Sequence, residues 1–317
     1  MKIVVLDGYT LNPGDNPWDV VSSLAEFVCY DRTAENEIIE RAKEADIILT
    51  NKTPLSRETL NQLPNLKFIS VLATGFNVVD VEAARAKNVS VSNVPIYGTD
   101  AVAEFVMALL LNAKRQPQLH SELSKQGKWQ SSVDFCFWET PLSELKGKTI
   151  GIVGFGRIGR RTAELASAFG MKVLASARTH KNTPSYDFGW KSVEEVFAEA
   201  DVVSLHCPQT EANTGMVNKA LLASMKPTAY FINTARGGLV NEVDLAEALN
   251  DGTIAGAAVD VVSKEPIQVE NPLLKAKNIT ITPHIAWAAL EARQRLMSTT
   301  ADNIKAFMAG KCIHVVN

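Results

Sequence analysis

The sequence predicts an α/β protein of two doubly wound parallel-sheet domains, on three observations. Short β-branched or apolar runs alternate with helix-compatible segments along the chain, as strands joined by helical crossovers do. At 317 residues the chain exceeds what one hydrophobic core usually accommodates. The third observation is local: at residues 149–161 a short apolar run leads into Gly154, Gly156 and Gly159, the G-x-G-x-x-G spacing, at the entry to a helix.

That stretch is a dinucleotide cradle. Gly154 permits the tight turn out of the strand, Gly156 lets the backbone approach a pyrophosphate, and Gly159 lets the following helix pack on the sheet. Backbone N–H groups and the positive end of the helix dipole then face the anion. A helix over 157–168, a stop at Gly170 and a second strand over 171–175 complete the strand, helix, strand unit.

From the N-terminus, residues 2–6, 26–30, 46–50, 67–71 and 89–92 are predicted strands, with helices at 34–43 and 80–86. Asp80 is the expected N-cap of the latter. No glycine fingerprint follows Leu6, so this first domain is not the cofactor domain. After Asn93-Val94-Pro95 an Ala- and Leu-rich helix at 99–113, capped by Thr99 or Asp100, reads as a bridge between domains. A further helix near 118–126 gives way to an aperiodic aromatic segment holding Trp129, Phe135, Phe137 and Trp138. Such rings are either buried under a loop or form a subunit interface.

The second domain continues with strands at 201–205, 228–232, 255–259 and 278–281 and helices at 192–198, 219–224 and 242–250. A last helix over 287–308 is long enough to return to the first domain. The expected division is therefore 1–98 with 287–317 for a substrate domain and 99–286 for the dinucleotide-binding domain, with a small ligand expected in a cleft between them.

Composition sets the remaining bounds. With 46% hydrophobic and 21% charged residues and a formal charge of -3, neither nucleic acid nor a membrane is expected as a partner. The run at 2–6 is too short for a signal peptide, and a cytoplasmic location is expected. Cys29, Cys136, Cys207 and Cys312 lie far apart without C-x-x-C pairing, which reads as buried, reduced thiols and no metal site.

Three residues fall where strands of the second domain should end, the binding edge of an open α/β sheet. Arg236 lies in Asn233-Thr234-Ala235-Arg236-Gly237-Gly238, Glu265 in a turn ending at Pro266, and His284 in Thr282-Pro283-His284-Ile285-Ala286. A base, a carboxylate to hold it and a cation for an anionic substrate are what is needed to move a proton while a nicotinamide moves a hydride.

Taken in order, Gly154-Phe155-Gly156-Arg157-Ile158-Gly159, Asn233-Thr234-Ala235-Arg236-Gly237-Gly238, Glu265-Pro266 and Pro283-His284-Ile285-Ala286 resemble the D-isomer-specific 2-hydroxyacid dehydrogenases. The resemblance extends over essentially the whole chain: residues 71–80 look like that family's substrate loop and Asn93-Val94-Pro95 through Ala103-Glu104 like its interdomain helix entry. It implies a Rossmann-type cofactor domain and a discontinuous flavodoxin-like substrate domain. It implies that His284 is the acid/base, Glu265 the carboxylate that holds the imidazole, and Arg236 the clamp on the substrate carboxylate. Ala73, Thr74 and Gly75 would bind the other side of that carboxylate, with Asn51 and Lys52 nearby.

By the same resemblance the cofactor would touch Thr74, Gly154, Gly156, Arg157, Ile158, Gly159, Arg178 and Thr179 at one end. Cys207, Pro208, Thr214, Thr234, Ala235, Arg236, Asp260, His284 and Ala286 would line the rest. Within the family, Asn51-Lys52 and Trp138 ahead of Pro141-Leu142 resemble the glycerate dehydrogenase (hydroxypyruvate or glyoxylate reductase) subgroup, in which Trp138 would reach into the partner subunit's site of a homodimer formed through the dinucleotide-binding domain. The expected reaction is reduction of hydroxypyruvate or glyoxylate to D-glycerate or glycolate. Alternatives are another short 2-keto acid, such as pyruvate, and a dinucleotide-sensing corepressor.

The second strand of the cradle ends Ser176-Ala177-Arg178-Thr179-His180-Lys181, with no acid for a ribose 2′-OH. Arg178, helped by Thr179 and Lys181, suits a 2′-phosphate, so NADP is expected to be preferred and NAD remains possible. The rival reading is a solvated basic turn that accepts both.

Overall fold

In the computed structural model all 317 residues are described, and the chain divides into two compact units, Met1–Gly98 with Trp287–Asn317, and Thr99–Ala286. The first unit holds β1 (Lys2–Val5), α1 (Asp19–Ser22), β2 (Glu26–Cys29), α2 (Ile38–Ala42), β3 (Ile47–Thr50), α3 (Arg57–Asn61), β4 (Phe68–Val71), α4 (Val81–Ala86) and β5 (Ser90–Ser92). All pairs are parallel, in the order β2-β1-β3-β4-β5. That is the flavodoxin-like order, with its switch point between β1 and β3.

Strand side chains alternate, so β1, β3 and β4 are apolar on both faces and both must be covered. Val4, Ile48 and Ile69 pack with Leu60, Ala83 and Ala84 on one side. Ile3, Val5, Ile47, Leu49 and Phe68 pack on the other with Leu296, Met297, Ala301 and Ile304 of the C-terminal helix, whose Phe307 ring stacks on Phe68 at 4.7 Å.

The second unit holds α5 (Thr99–Arg115), α6 (Pro117–Lys125), β6 (Thr149–Val153), α7 (Arg157–Ala168), β7 (Lys172–Ser176), β8 (Phe188–Trp190), α8 (Val193–Glu199), β9 (Val202–Leu205), α9 (Lys219–Ala223), β10 (Tyr230–Asn233), α10 (Glu242–Asn250), β11 (Gly256–Val259) and β12 (Ile279–Ile281). Its sheet, again wholly parallel, runs β12-β11-β10-β9-β6-β7-β8. Counted from β6, six strands follow the 3-2-1-4-5-6 Rossmann order and β12 extends it. The order reverses between β6 and β9, so the glycine loop sits at the switch point. The C-terminal helix, α11 (Leu290–Met308), belongs to the first unit.

Several local expectations are corrected. The helix expected over 34–43 is a 3-10 turn, Glu35–Glu37, followed by α2. The last helix begins at Leu290 rather than 287. α5, expected as a link between domains, falls wholly in the second unit, where Val106, Met107 and Leu110 pack against Ile150, Ile152 and Ala163. α1, α3 and the three-residue β8 were not expected. The four cysteines are free, but each is partly exposed rather than buried. Trp129, Phe135 and Trp138 are 57%, 90% and 66% exposed, which excludes burial under a loop within the chain. No helix is long and apolar enough to cross a membrane.

Candidate active site

The cradle is built by close approach. Gly154 leaves β6 at φ 99°, and a Cβ there would lie 2.5 Å from the Cys207 backbone nitrogen in the loop after β9. A Cβ on Gly159 would lie 2.2 Å from the Gly154 carbonyl. Gly156 differs: a Cβ there would meet nothing within 4 Å, and the residue is the N-cap of α7 with no side chain capping it. Two glycines let chain pack on chain, while Gly156 opens toward space at a helix N-terminus, the arrangement that admits a pyrophosphate. Arg157 is exposed beside it and Ile158 half-buried.

The loop after β9 closes the switch point. The Cys207 thiol is pushed up by burial, so it stays protonated and is no nucleophile. Pro208 is exposed, and the Thr214 hydroxyl donates to the Thr210 carbonyl at 2.9 Å. His206 also sits here, its Nε2 2.9 Å from Ser204 Oγ. Desolvation lowers its pKa to about 3, although the residue as a whole keeps partial exposure. The ring is therefore neutral. Beyond β7, Arg178, Thr179, His180 and Lys181 are all exposed.

The three candidate catalytic side chains come from the loops after β10, β11 and β12. Asn233, fully buried at the end of β10, accepts from Ala235 N at 3.0 Å and donates to the Arg236 carbonyl at 2.9 Å. That brace turns the backbone around Arg236, whose exposed guanidinium donates to the Ala235 carbonyl at 2.7 Å. Gly237 lets this loop lie against the next: a Cβ would be 1.9 Å from the Val262 carbonyl carbon. Thr234 carries a buried hydroxyl with no hydrogen-bond partner in the chain, an orphan beside the expected cofactor.

Glu265 Oε2 lies 2.7 Å from His284 Nδ1, and Glu265 Oε1 accepts from Val262 N at 3.3 Å. His284 holds φ 55°, a left-handed conformation that an L-residue adopts at a cost. Asp260 is what holds it there. Its carboxylate is 1% exposed; Oδ1 accepts from Thr282 Oγ1 at 2.6 Å and Ile285 N at 2.9 Å, and Oδ2 from Ala286 N at 2.9 Å. The Asp260 carbonyl takes the His284 N–H at 2.8 Å. Three of its four side-chain acceptor sites are used on this loop, and one on Oδ2 remains. Glu242, at the start of α10, accepts from Ser263 N and Oγ, both at 2.7 Å, and fixes the loop ahead of Glu265. Glu242 and the bracing role of Asp260 are not legible in short windows, because their partners lie in other loops, and the Asn233 brace within its own loop carries no sequence signal.

In the first unit the switch point is filled from within. Asp7, just past β1, accepts from the backbone N–H groups of Asn51, Lys52 and Thr53 at 2.8, 2.5 and 2.8 Å. The Asn51 side chain is buried and donates to the Leu72 carbonyl at 3.0 Å, so it braces the loop, while Lys52 is exposed. The Ala73-Thr74-Gly75 loop is tied to residues 93 and 94: Thr74 Oγ1 donates to the Val94 carbonyl at 2.8 Å, Asn93 Nδ2 donates to the Thr74 carbonyl at 2.7 Å, and Val94 N to the Ala73 carbonyl at 3.0 Å. A held Thr74 carbonyl fixes the direction of the Gly75 N–H, because both belong to one planar peptide.

The family model described as D-isomer specific 2-hydroxyacid dehydrogenase, NAD binding domain, matches residues 107–286. The chain belongs to that family. This dehydrogenase is 47% identical to a hydroxypyruvate reductase of Blautia hydrogenotrophica, over 100% of both chains. It is 39% identical to a glycerate dehydrogenase of Methylorubrum extorquens, over 99% of this chain and 98% of that one. Among solved structures, it matches an NADPH-dependent glyoxylate/hydroxypyruvate reductase of Sinorhizobium meliloti in complex with NADP and malonate, with a TM-score of 0.84 at 29% identity, covering 99% of this chain and 96% of that one. The dehydrogenase is thus an oxidoreductase acting on CH–OH donors with a nicotinamide dinucleotide. The open side of Gly156, the orphan Thr234 hydroxyl and the remaining acceptor site of Asp260 fit that cofactor.

Proposed function

We propose that the dehydrogenase reduces hydroxypyruvate or glyoxylate to D-glycerate or glycolate and prefers NADPH to NADH. The observation that carries the chemistry is the 2.7 Å contact between Glu265 Oε2 and His284 Nδ1. It orients the imidazole through Nδ1, so proton transfer to the substrate falls to Nε2. The bound nicotinamide supplies the hydride. As the keto carbon accepts it, protonated His284 gives its proton to the keto oxygen, leaving an alcohol and a neutral ring that takes its next proton from solvent. The Arg236 guanidinium, a planar fork of donors, pairs with the substrate carboxylate and draws charge from the adjacent carbonyl. On the family resemblance the backbone of residues 73–75 is assigned to that carboxylate, and Lys52 to the substrate.

The names of the two sequence relatives support the substrate class. The acid-free turn Arg178-Thr179-His180-Lys181 supports NADPH, as does the NADP complex of the S. meliloti enzyme. One charge-assisted hydrogen bond contributes roughly 1.5–3 kcal/mol, about ten- to a hundredfold in affinity. We further propose a homodimer formed through the second unit, to which the exposed rings of Trp129, Phe135 and Trp138 contribute.

Initial rates of NADPH and NADH oxidation with hydroxypyruvate, glyoxylate and pyruvate at matched concentrations test chemistry and cofactor together. The reading requires fastest turnover with NADPH and hydroxypyruvate or glyoxylate, and its loss in His284→Ala with cofactor still bound. Faster turnover of pyruvate moves the substrate to another short keto acid. No turnover despite tight NADPH binding replaces the enzyme with a dinucleotide sensor.

A further inference from the structure

The basic turn after β7 is held in one shape by a residue that sits outside it. Gly154 N donates to the Ser176 carbonyl at 2.9 Å, so the turn begins beside the glycine loop. Arg160, in the first turn of α7, reaches across with both guanidinium arms: Nη1 donates to the Asn182 carbonyl at 2.8 Å and Nη2 to the Lys181 carbonyl at 2.5 Å. Its Cζ lies 4.4 Å over the Phe155 ring, which fixes the guanidinium plane. Asn182 is left-handed, at φ 52°, so the chain reverses sharply where the two carbonyls are gripped.

Two further ties complete the frame. Trp190 Nε1 on β8 donates to Thr183 Oγ1 at 3.0 Å. The His180 ring stacks on that indole at 4.4 Å with an 8° interplanar angle. Lys181 and Asn182 are gripped through their carbonyls, and His180 through its ring. Arg178 and Thr179, which precede them, present their side chains to solvent. An exposed turn that had to be ordered on binding would lose affinity to conformational entropy, and a turn already ordered does not.

We propose that Arg160 is a specificity-determining positioning residue. By gripping the carbonyls of Lys181 and Asn182 it holds the Arg178–Lys181 turn ready for a ribose 2′-phosphate, and so sets the preference for NADPH over NADH without touching the phosphate. The inference rests on the NADPH reading above and goes beyond it, because it places part of the selectivity on α7, one element away from the basic turn.

Cofactor dissociation constants for NADPH and NADH, measured on the full chain, test it in the wild type, Arg160→Met, Arg178→Ala and the double variant. Methionine keeps helix propensity and the apolar stem over Phe155 while removing the donors. Arg160→Met is expected to weaken NADPH about five- to tenfold, the loss of one or two hydrogen bonds' worth of positioning, and NADH less than about twofold. Turnover at saturating cofactor should not change. Since Arg160 acts through the turn that carries Arg178, the loss of NADPH affinity in the double variant should fall well short of the sum of the two single losses. Equal weakening of both cofactors, an unchanged NADPH affinity, or additive losses in the double variant each overturn the inference while leaving the NADPH reading intact. If Arg178→Ala itself leaves NADPH affinity unchanged, the 2′-phosphate reading fails, and the role of Arg160 fails with it.

Discussion

A histidine at φ 55° is held against its own preference, and the Asp260 carboxylate ties down the loop on both sides of it. Asp260→Asn puts an NH2 where one of the oxygens accepted, so at least one buried N–H loses its partner. Hydrogen bonds to a charged group contribute roughly 1.5–3 kcal/mol, and the variant should lose about that much stability. Because the His284 loop loosens, kcat should fall at least about tenfold with little change in KM, the sign of a group misplaced in the transition state. Thermal unfolding and steady-state kinetics read both; an unchanged kcat would separate Asp260 from the catalytic loop. His206 gives a different signature. Its folded pKa, about 3, lies below the ordinary histidine value of 6.5, so between the two the unfolded chain binds one more proton. Stability from this group is therefore fully present above pH 6.5 and drains as pH falls toward 3, at about 1.4 kcal/mol per pH unit. Urea unfolding from pH 7 to 4.5 should show that slope reduced in His206→Asn; identical slopes would mean the ring titrates normally in the folded protein.

At the scale of elements, what the sequence revealed was what short windows contain. The alternation of apolar runs with helical segments placed ten of the strands of the two sheets in the N-terminal and central parts of the chain and β12 at its far end, within a residue or two. Asp80, the cap expected from the sequence, accepts from Ala83 N at 2.8 Å. β8 escaped because Phe188-Gly189-Trp190 is too short to show a period, and α1 and α3 are likewise only four and five residues long. In the candidate site the glycine spacing was legible because its function is local geometry. Asp7 was not, since its three N–H donors lie 44, 45 and 46 residues away. Nor was Glu242, whose partner Ser263 is 21 residues on. Glu265 and His284 were named from strand ends, but their 2.7 Å contact depends on how two loops fold toward each other. Asp7→Asn tests one of these hidden braces. An amide can keep only part of the three-fold acceptance, so the 51–53 loop should exchange its amide hydrogens markedly faster while the β6–α7 cradle exchanges as before. Unchanged protection of Asn51, Lys52 and Thr53 would show that the loop holds without the carboxylate.

At the scale of the whole molecule, the chain's last residues finish what its first residues begin. Arg293 of α11, almost fully buried, donates to the Leu11 carbonyl at 3.1 Å and, bidentate, to Asp15 at 2.6 and 2.7 Å. The guanidinium holds the Asp15 carboxyl below the usual carboxylate range, so this pairing is present above that range and is lost only as acid titrates Asp15. The tail runs on beside β5, where Val316 N donates to the Val91 carbonyl at 2.9 Å and Asn317 Nδ2 to the Val89 carbonyl at 2.7 Å. One segment of the second unit gathers exposed apolar side chains. Trp129, Val133, Phe135, Trp138 and Leu142, all within one segment of the second unit, remain exposed, Val133 wholly so. Exposed rings and branched chains concentrated this way mark an interaction surface, and at roughly 25 cal/mol per Å2 their burial by a second copy would contribute several kcal/mol to association. Light scattering after size exclusion should give twice the chain mass at micromolar concentration. Phe135→Asp combined with Val133→Asp should shift the protein toward monomer while leaving the fold of each chain intact by circular dichroism, because neither side chain supports a core. If Trp138 serves the site of a second copy, specific activity should also fall on dilution below the dissociation constant and recover on concentration. A wild-type monomer with full activity at every concentration would remove the homodimer and with it any role for Trp138 across it.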